Sequence, residues 1–212
     1  MYKMKDSKMA NIITPVSNGA SELIEMEREY IATVEITGTA KLLLHCWNIE
    51  AIEEKANAKK NSAKKKTDDL ESYIQRDQEG RIVMHCKNFC ASIRCAGKKY
   101  ADPTSPRKSM HDLLKAIVQP YDEVSLINGG TKAWEYVDRQ RVVIQRAGIT
   151  RSRPAFYEGW KMKFRVLVSE PEYLSPAKLH EIITRAGKLE GIGDFRPTYG
   201  RYRIDGFSIE EV

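Results

Sequence analysis

Trp160-Lys161-Met162-Lys163-Phe164-Arg165-Val166-Leu167-Val168 decides how the rest of the chain is read. Met162, Phe164, Val166 and Val168 alternate with Lys161, Lys163 and Arg165, the period of a strand with one buried face. Ser175-Pro176 then opens a helix, since a serine caps the first amides and a proline at the first helical position lacks only an N–H that has no partner there anyway. Leu179, Ile182, Ile183 and Ala186 fall on one face of it, and Gly187 predicts its end. A loop, Gly191-Ile192-Gly193-Asp194-Phe195-Arg196-Pro197-Thr198-Tyr199-Gly200-Arg201, leads into a last strand over 202–209.

Working back from this segment, Trp134 to Ile144 reads as a strand, so the last third runs strand, strand, helix, loop, strand. The first half follows the same plan. Tyr30 to Ala40 alternates and is rich in β-branched residues. Gly38 marks a bulge or kink, and Lys41-Leu42-Leu43-Leu44-His45 continues or bends the strand. Arg81 to His85 is a short strand, Asn88 to Gly97 a short helix, and Ala101 to Pro106 a loop. From Ser105-Pro106 onward, Met110, Leu113, Leu114 and Ile117 recur at helical spacing and stop before Pro120. Glu123 to Ile127 is a strand closed by Asn128-Gly129-Gly130. The fold class is α+β, a modified ferredoxin-like or RRM-like sandwich.

Two segments stand apart. Residues 1–28 are polar and aperiodic and read as a loosely held arm before a single domain over 29–212. Residues 49–72 are dominated by Ala, Glu and Lys with no apolar stripe to bury, so they read as a helical or flexible insertion. Its Lys64, Lys65 and Lys66 suit a basic finger that lies on phosphates.

The chain carries 35 Lys+Arg against 29 Asp+Glu, a net charge of +6. Between 141 and 165 stand Arg141, Arg146, Arg151, Arg153, Lys161, Lys163 and Arg165 against one acid, Glu158. Read along the chain, the excess sits in one basic hairpin, with Phe156 and Tyr157 among its cations. Guanidinium forks match phosphate oxygens, and aromatic faces accept stacked bases at about 1–3 kcal/mol each. The loop near the C-terminus combines the same two residue types, in Phe195, Arg196, Tyr199 and Arg201, with Gly191 and Gly193 permitting close approach of another chain.

Several chemistries are disfavoured. Gly191-x-Gly193 is neither a phosphate-binding P-loop nor a dinucleotide fingerprint, since no Gly-Lys-Ser/Thr follows and it comes after a helix. Cys86, Cys90 and Cys95 are spaced C-x3-C-x4-C, unlike paired zinc knuckles, and with Cys46 they read as free thiols. His45, His85, His111 and His180 are scattered, and the one acid–base grouping to weigh is Asp194, Asp205 and His180. No catalytic residue, metal or cofactor is expected. No run of about eighteen apolar residues occurs, so a cytoplasmic protein without a membrane partner is expected.

The Thr-Gly-Thr-Ala-x-Leu-Leu-Leu-His run at 37–45, Arg151-Ser152-Arg153-Pro154, and the terminal Gly-Ile-Gly-x-Phe-Arg-Pro-x-x-Gly-Arg loop resemble small phage or prophage proteins similar to the RAMP superfamily, the RRM-like backbone subunits of CRISPR effector complexes. The resemblance covers 31–45 and 150–207. It implies a modified RRM whose glycine-rich loop lies near the C-terminus, at Gly191, Gly193 and Gly200, and a projecting insertion at 49–72 or 128–158. It further implies head-to-tail assembly along single-stranded RNA or DNA, as a helical filament or ring. No position matches the aspartate with which some relatives cleave their target.

The function expected is non-catalytic binding of single-stranded RNA or DNA by a homo-oligomer. Arg146, Arg151, Arg153 and Lys163 are expected on phosphates, and Phe156, Tyr157, Phe195 and Tyr199 as stacking platforms. The alternatives are a nuclease of the same superfamily, or an oligomer that captures a small phosphorylated ligand or a host defence protein.

Overall fold

The alternation of 161–168 is realised in a computed structural model that describes residues 28–46, 48, 53, 57, 69–144 and 147–212, with the backbone alone at 142–144 and 147–149. Within them the fold is mixed α+β, built of several antiparallel sheets and three helices. Residues 1–27 of the expected arm, most of the lysine-rich insertion including Lys64, Lys65 and Lys66, and Arg146 lie outside the described residues.

Strand β1 (Tyr30–Gly38) is the centre of the main sheet. On one side it pairs with β11 (Lys161–Val168), from Tyr30 opposite Val168 to Thr37 opposite Lys161. On the other it pairs with β12 (Tyr202–Glu211), and β7 (Val118–Pro120) completes the order β12-β1-β11-β7. The apolar alternates Tyr30, Ala32, Val34 and Ile36 of β1, with Met162, Phe164, Val166 and Val168 of β11, are buried on one face. Two helices cover that face: α1 (Cys86–Gly97) and α3 (Pro176–Leu189). Phe89 of α1 stacks on Phe164 with ring centroids 4.3 Å apart.

The opposite face of the sheet is held by charge. Lys163 Nζ lies 3.2 Å from Glu35, and Arg165 forks onto both oxygens of Asp122 at 2.8 and 2.5 Å. Asp205 accepts from Thr37 and from Arg203 Nε.

The α3 helix begins where expected, with Ser175 Oγ accepting from Lys178 N–H at 3.4 Å. It runs two residues beyond Gly187, which is no cap. A Cβ at Gly187 would lie 2.3 Å from the Tyr202 carbonyl oxygen, so this glycine lets α3 lie against β12. The bulge expected at Gly38 is instead a register shift between Glu35 and Ile36 opposite β12, while Gly38 carries the indole of Trp160 against its Cα.

After Gly38 the chain bends and leaves the main sheet. Strand β2 (Leu42–Leu43) joins β10 (Ala147–Phe156) and β9 (Tyr136–Ile144) in a second sheet. A third sheet holds β3 (Gln75–Arg76), β4 (Ile82–His85) and β8 (Val124–Leu126). The loop expected over 101–106 is a small hairpin of β5 (Ala101–Asp102) and β6 (Ser105–Ser109), and the helix expected from Ser105 starts only at α2 (His111–Ile117). Asp102 explains the difference: its Oδ1 accepts from the Thr104 N–H at 2.8 Å and hydroxyl at 2.7 Å, which closes the turn between β5 and β6.

The basic run 141–165 does not form one hairpin. Arg141 belongs to β9, Arg151 to Phe156 belong to β10, the chain turns at Glu158-Gly159, and Lys161, Lys163 and Arg165 belong to β11 in the main sheet. Trp160 makes the separation, since its ring is buried and its Nε1–H donates to the Ala40 carbonyl at 2.8 Å.

Candidate nucleic-acid interface

The loop between α3 and β12 folds onto β2. Asp194 N–H donates to Leu43 C=O at 3.0 Å, Gly200 N–H to Lys41 C=O at 2.8 Å, and Ile192 N–H to Gly200 C=O at 2.9 Å. Two glycines make this possible. Gly193 (φ 80°) and Gly200 (φ 72°) adopt left-handed backbone, and a Cβ would meet Leu43 O at 2.7 Å in the first and Ile192 O at 1.7 Å in the second. Gly191 lies equally close to Gly200. The close approach that Gly191 and Gly193 permit in this structure is that of the chain to itself.

Register places Tyr136, Asp138 and Gln140 of β9 on one face of the ribbon, beside Ala155, Arg153 and Arg151 of β10. That face meets the loop. Arg153, 6% exposed, donates from Nε to Asp194 Oδ2 at 2.5 Å, and its guanidinium carbon lies 4.4 Å from the centroid of Phe195. The other neighbour of Asp194 Oδ2 is His45 Nδ1 at 3.3 Å, and the His45 ring stands edge-on to Tyr73. Burial pushes the Asp194 carboxyl up, but the His45 hydrogen bond and the Arg153 charge outweigh it and hold it at about 2. Tyr136 OH, Asp138 Oδ2 and Arg153 Nη1 are buried without a partner, a polar seam along the same face.

Above the seam the aromatic residues gather. Tyr157, 52% exposed, stacks on Tyr136 at 4.4 Å with their planes 23° apart. Lys41 Nζ stands 5.4 Å from the Tyr136 ring and 5.9 Å from the Tyr157 ring. Gln140 Nε2–H donates to Tyr199 OH, and Phe195 meets Tyr199 edge-on at 6.4 Å. Burial, with the Asp138 charge behind it, raises the Tyr136 phenol to about 12, so it stays a neutral donor at any physiological pH. Arg196 and Arg201 are exposed on the loop, and the Arg201 carbonyl accepts from Thr39 N–H at 2.8 Å, which sets it beside Lys41.

The residues singled out in the sequence therefore divide. Phe195, Arg196, Tyr199 and Arg201 share the loop that folds onto β2, and β9 links it to Tyr157 through Tyr136 and Gln140. Arg151 reaches the Tyr73 hydroxyl at 3.4 Å, on the seam face. Arg153 is buried and committed to Asp194, and Phe156 is fully buried in the core, where its ring has no face for a base. Lys163 lies in the main sheet, paired with Glu35. Lys41, Tyr136 and Gln140 have no local signature, since their contacts join segments distant in the chain; alternation along β9 was the one available hint for Tyr136.

The acid–base trio weighed from the sequence is not assembled. Asp205 is bound to Thr37 and Arg203, and His180, its pKa lowered by burial, packs edge-on to Phe207 at 5.1 Å. A cleft beside the loop is lined instead by His45, Asp194, Arg196, His85, Asn88 and Tyr73. Among the described residues no group of three His, Cys, Asp or Glu is placed to hold a metal ion, and no helix is long and apolar enough to cross a membrane.

No family model matches the chain. No curated protein matches it either. Among solved structures, a chain of a complex described as the Type III-B Cmr-beta bound to cognate target RNA is similar, at 10% identity and a TM-score of 0.49. The match covers 87% of this chain, which spans 61% of the length of the other.

Proposed function

We propose that this protein binds single-stranded nucleic acid, RNA or DNA, without cutting it, at the end where the 190–201 loop meets β9–β10. The observation that carries the reading is the stack of Tyr157 on Tyr136 with Lys41 over both rings and Tyr199 close to Tyr136, with Arg201 set beside Lys41 by its backbone and Arg196 exposed on the same loop. An exposed ring beside point cations offers bases a face and phosphates a countercharge, the combination that sequence-tolerant single-strand binding needs. Phe195 and Arg151 extend the platform. The glycines hold the loop in place, and Lys64, Lys65, Lys66 and Arg146 add phosphate contacts in this reading. The face opposite the helices is a poorer platform, because three of its cations, Lys163, Arg165 and Arg203, are paired with Glu35, Asp122 and Asp205.

The order β12-β1-β11-β7, with α1 following β1 and α3 following β11, supports reading the frame as ferredoxin-like, in keeping with the RAMP resemblance of the sequence. Assembly of copies along one strand belongs to the same reading.

Fluorescence anisotropy with single-stranded RNA, single-stranded DNA and duplex DNA across a salt series tests it. Single strands bind, and Lys41→Glu/Arg201→Glu weakens binding and lowers the log–log salt slope by about 1.4, at roughly 0.7 per phosphate. No single-strand binding near physiological salt overturns it.

One observation favours a second reading, a nuclease: His45 is paired with Asp194 in a cleft that also holds Arg196 and His85. Strand cleavage by the purified protein, lost in His45→Ala with binding retained, would replace the non-catalytic reading.

A further inference from the structure

We propose that the surface around Tyr100 is a second phosphate-binding face for nucleic acid, distinct from the tyrosine platform. Between Arg94 and Lys108 stand five cations, Arg94, Lys98, Lys99, Arg107 and Lys108, against one carboxylate, Asp102. Asp102 is buried and committed to the Thr104 turn, whose hydrogen bonds lower its pKa. Lys98, Lys99, Arg107 and Lys108 are exposed, and none of them is ion-paired among the described residues.

The backbone that carries them is fixed. Lys99 N–H donates to Ala96 C=O at 3.0 Å and Tyr100 N–H to Gly97 C=O at 3.1 Å, while the Tyr100 carbonyl accepts from Met110 N–H at 3.0 Å. Ala101 pairs with Ser109, which brings β6 and its Arg107 and Lys108 beside the turn. From α3, Lys178 Nζ and the Arg185 guanidinium stand 4.3 and 5.2 Å from the Tyr100 ring. The cations of the α1 terminus, its turn and β6 thus stand on the backbone that flanks Tyr100, and two cations of α3 lie over its ring. The acid on the α3 side is Glu181, already bound to Lys178 at 2.9 Å.

The chemistry of the face selects the partner. Protein interfaces rest on apolar or aromatic anchors that bury in a pocket. The exposed large apolar residues among those described are Tyr121, Tyr157, Tyr173, Leu189 and Val212, none of them in this segment, and the ring of Tyr100 is already capped by two cations. A dense set of exposed cations without an anchor suits a phosphate backbone, where each contact releases a counterion. Lys178 and Leu189, at the end of α3 that leads into the loop, are eleven residues apart, about 17 Å at the helical rise. One strand therefore reaches both faces only if it is long enough to cross the helical layer.

The test compares uridine homopolymers of about 8 and about 40 nucleotides, lengths below and well above the reach of a single small binding fold. The protein with Lys98→Glu, Lys99→Glu, Arg107→Glu and Lys108→Glu binds the long polymer at least about tenfold more weakly than the parent, with a salt slope lower by about 3 for four lost phosphates. Its affinity for the short polymer stays within about twofold. The four-fold Gln variant changes in the same direction and guards against misfolding by charge reversal. An unchanged affinity and slope on the long polymer, in variants with the parental melting temperature, overturns the proposal. Lys41→Glu/Arg201→Glu reads the tyrosine platform separately, so either face can fail alone.

Discussion

Arg153 and Asp194 bind the β9–β10 ribbon to the loop that precedes the last strand: the guanidinium Nε sits 2.5 Å from the carboxylate, and the arginine side chain is only 7% exposed. A charge so enclosed depends on its partner. Removing the partner from such a pair costs about 3–5 kcal/mol, because the remaining charge stays buried. Asp194→Ala is therefore expected to lower stability by about 3 kcal/mol in urea denaturation, and Asp194→Ala/Arg153→Leu to recover much of it. A loss no larger than that of an exposed pair, below about 1 kcal/mol, contradicts the account.

The same pair gives a pH dependence with a definite sign. The Asp194 carboxyl is held at about 2 in the folded chain, against about 3.9 when unfolded. A depressed folded value contributes stability that is complete above the unfolded pKa and fades as pH falls toward the folded one. Between about pH 4 and 2 the parent should lose stability more steeply than Asp194→Asn, measured by thermal melting at matched ionic strength. Parallel curves would remove the assignment.

Gly187→Ala sets two effects against each other. Alanine is favoured over glycine in a helix by about 1 kcal/mol. The new methyl, however, would stand 2.3 Å from the Tyr202 carbonyl and 2.8 Å from its ring, both rigid. Overpacking of a core costs about 1–3 kcal/mol, so the net change is destabilising. The melting temperature should fall by about 2–4 °C for each net kcal/mol. A rise would show that α3 can slide off β12.

Thiol chemistry reads burial directly. Burial pushes Cys86 to about 12 and Cys90 to about 11, whereas Cys46 and Cys95 are half-buried. Maleimide labelling of the native protein followed by peptide mass analysis should mark Cys46 and Cys95 first, and Cys86 and Cys90 only on unfolding.

What was legible in the sequence was what burial writes locally. Met162, Phe164, Val166 and Val168 declare a strand, and Leu179, Ile182, Ile183 and Ala186 a helix, because one face of each meets the core. The β6 strand, Ser-Pro-Arg-Lys-Ser, buries nothing large and left no such trace; a side-chain turn at Asp102 makes it. Charge misled where it was contiguous along the chain but not in space, since Trp160 turns the chain out of one sheet and into another between Phe156 and Lys161. The interface itself was half legible. Tyr157, Tyr199 and Arg201 stand in readable basic and aromatic runs, whereas Lys41 joins them only through the fold of the loop onto β2.

Tyr157 isolates stacking from charge. It is half exposed and lies outside the core, so Tyr157→Ala should fold normally. Loss of one stacked base is worth about 1–3 kcal/mol, so affinity for a single strand should fall by about 5- to 150-fold, with the salt slope unchanged. Tyr157→Phe keeps the ring and should bind nearly as the parent does. Equal losses in both variants would assign the effect to the hydroxyl.

The most direct measurement is photo-crosslinking to single-stranded RNA carrying 4-thiouridine, with the modified peptides identified by mass spectrometry. The account predicts crosslinks at Tyr157, Tyr136 and the 195–201 loop, competed by unlabelled single strand. Crosslinks confined to the sheet face of Glu35, Lys163 and Arg165, with none at these tyrosines, would contradict it.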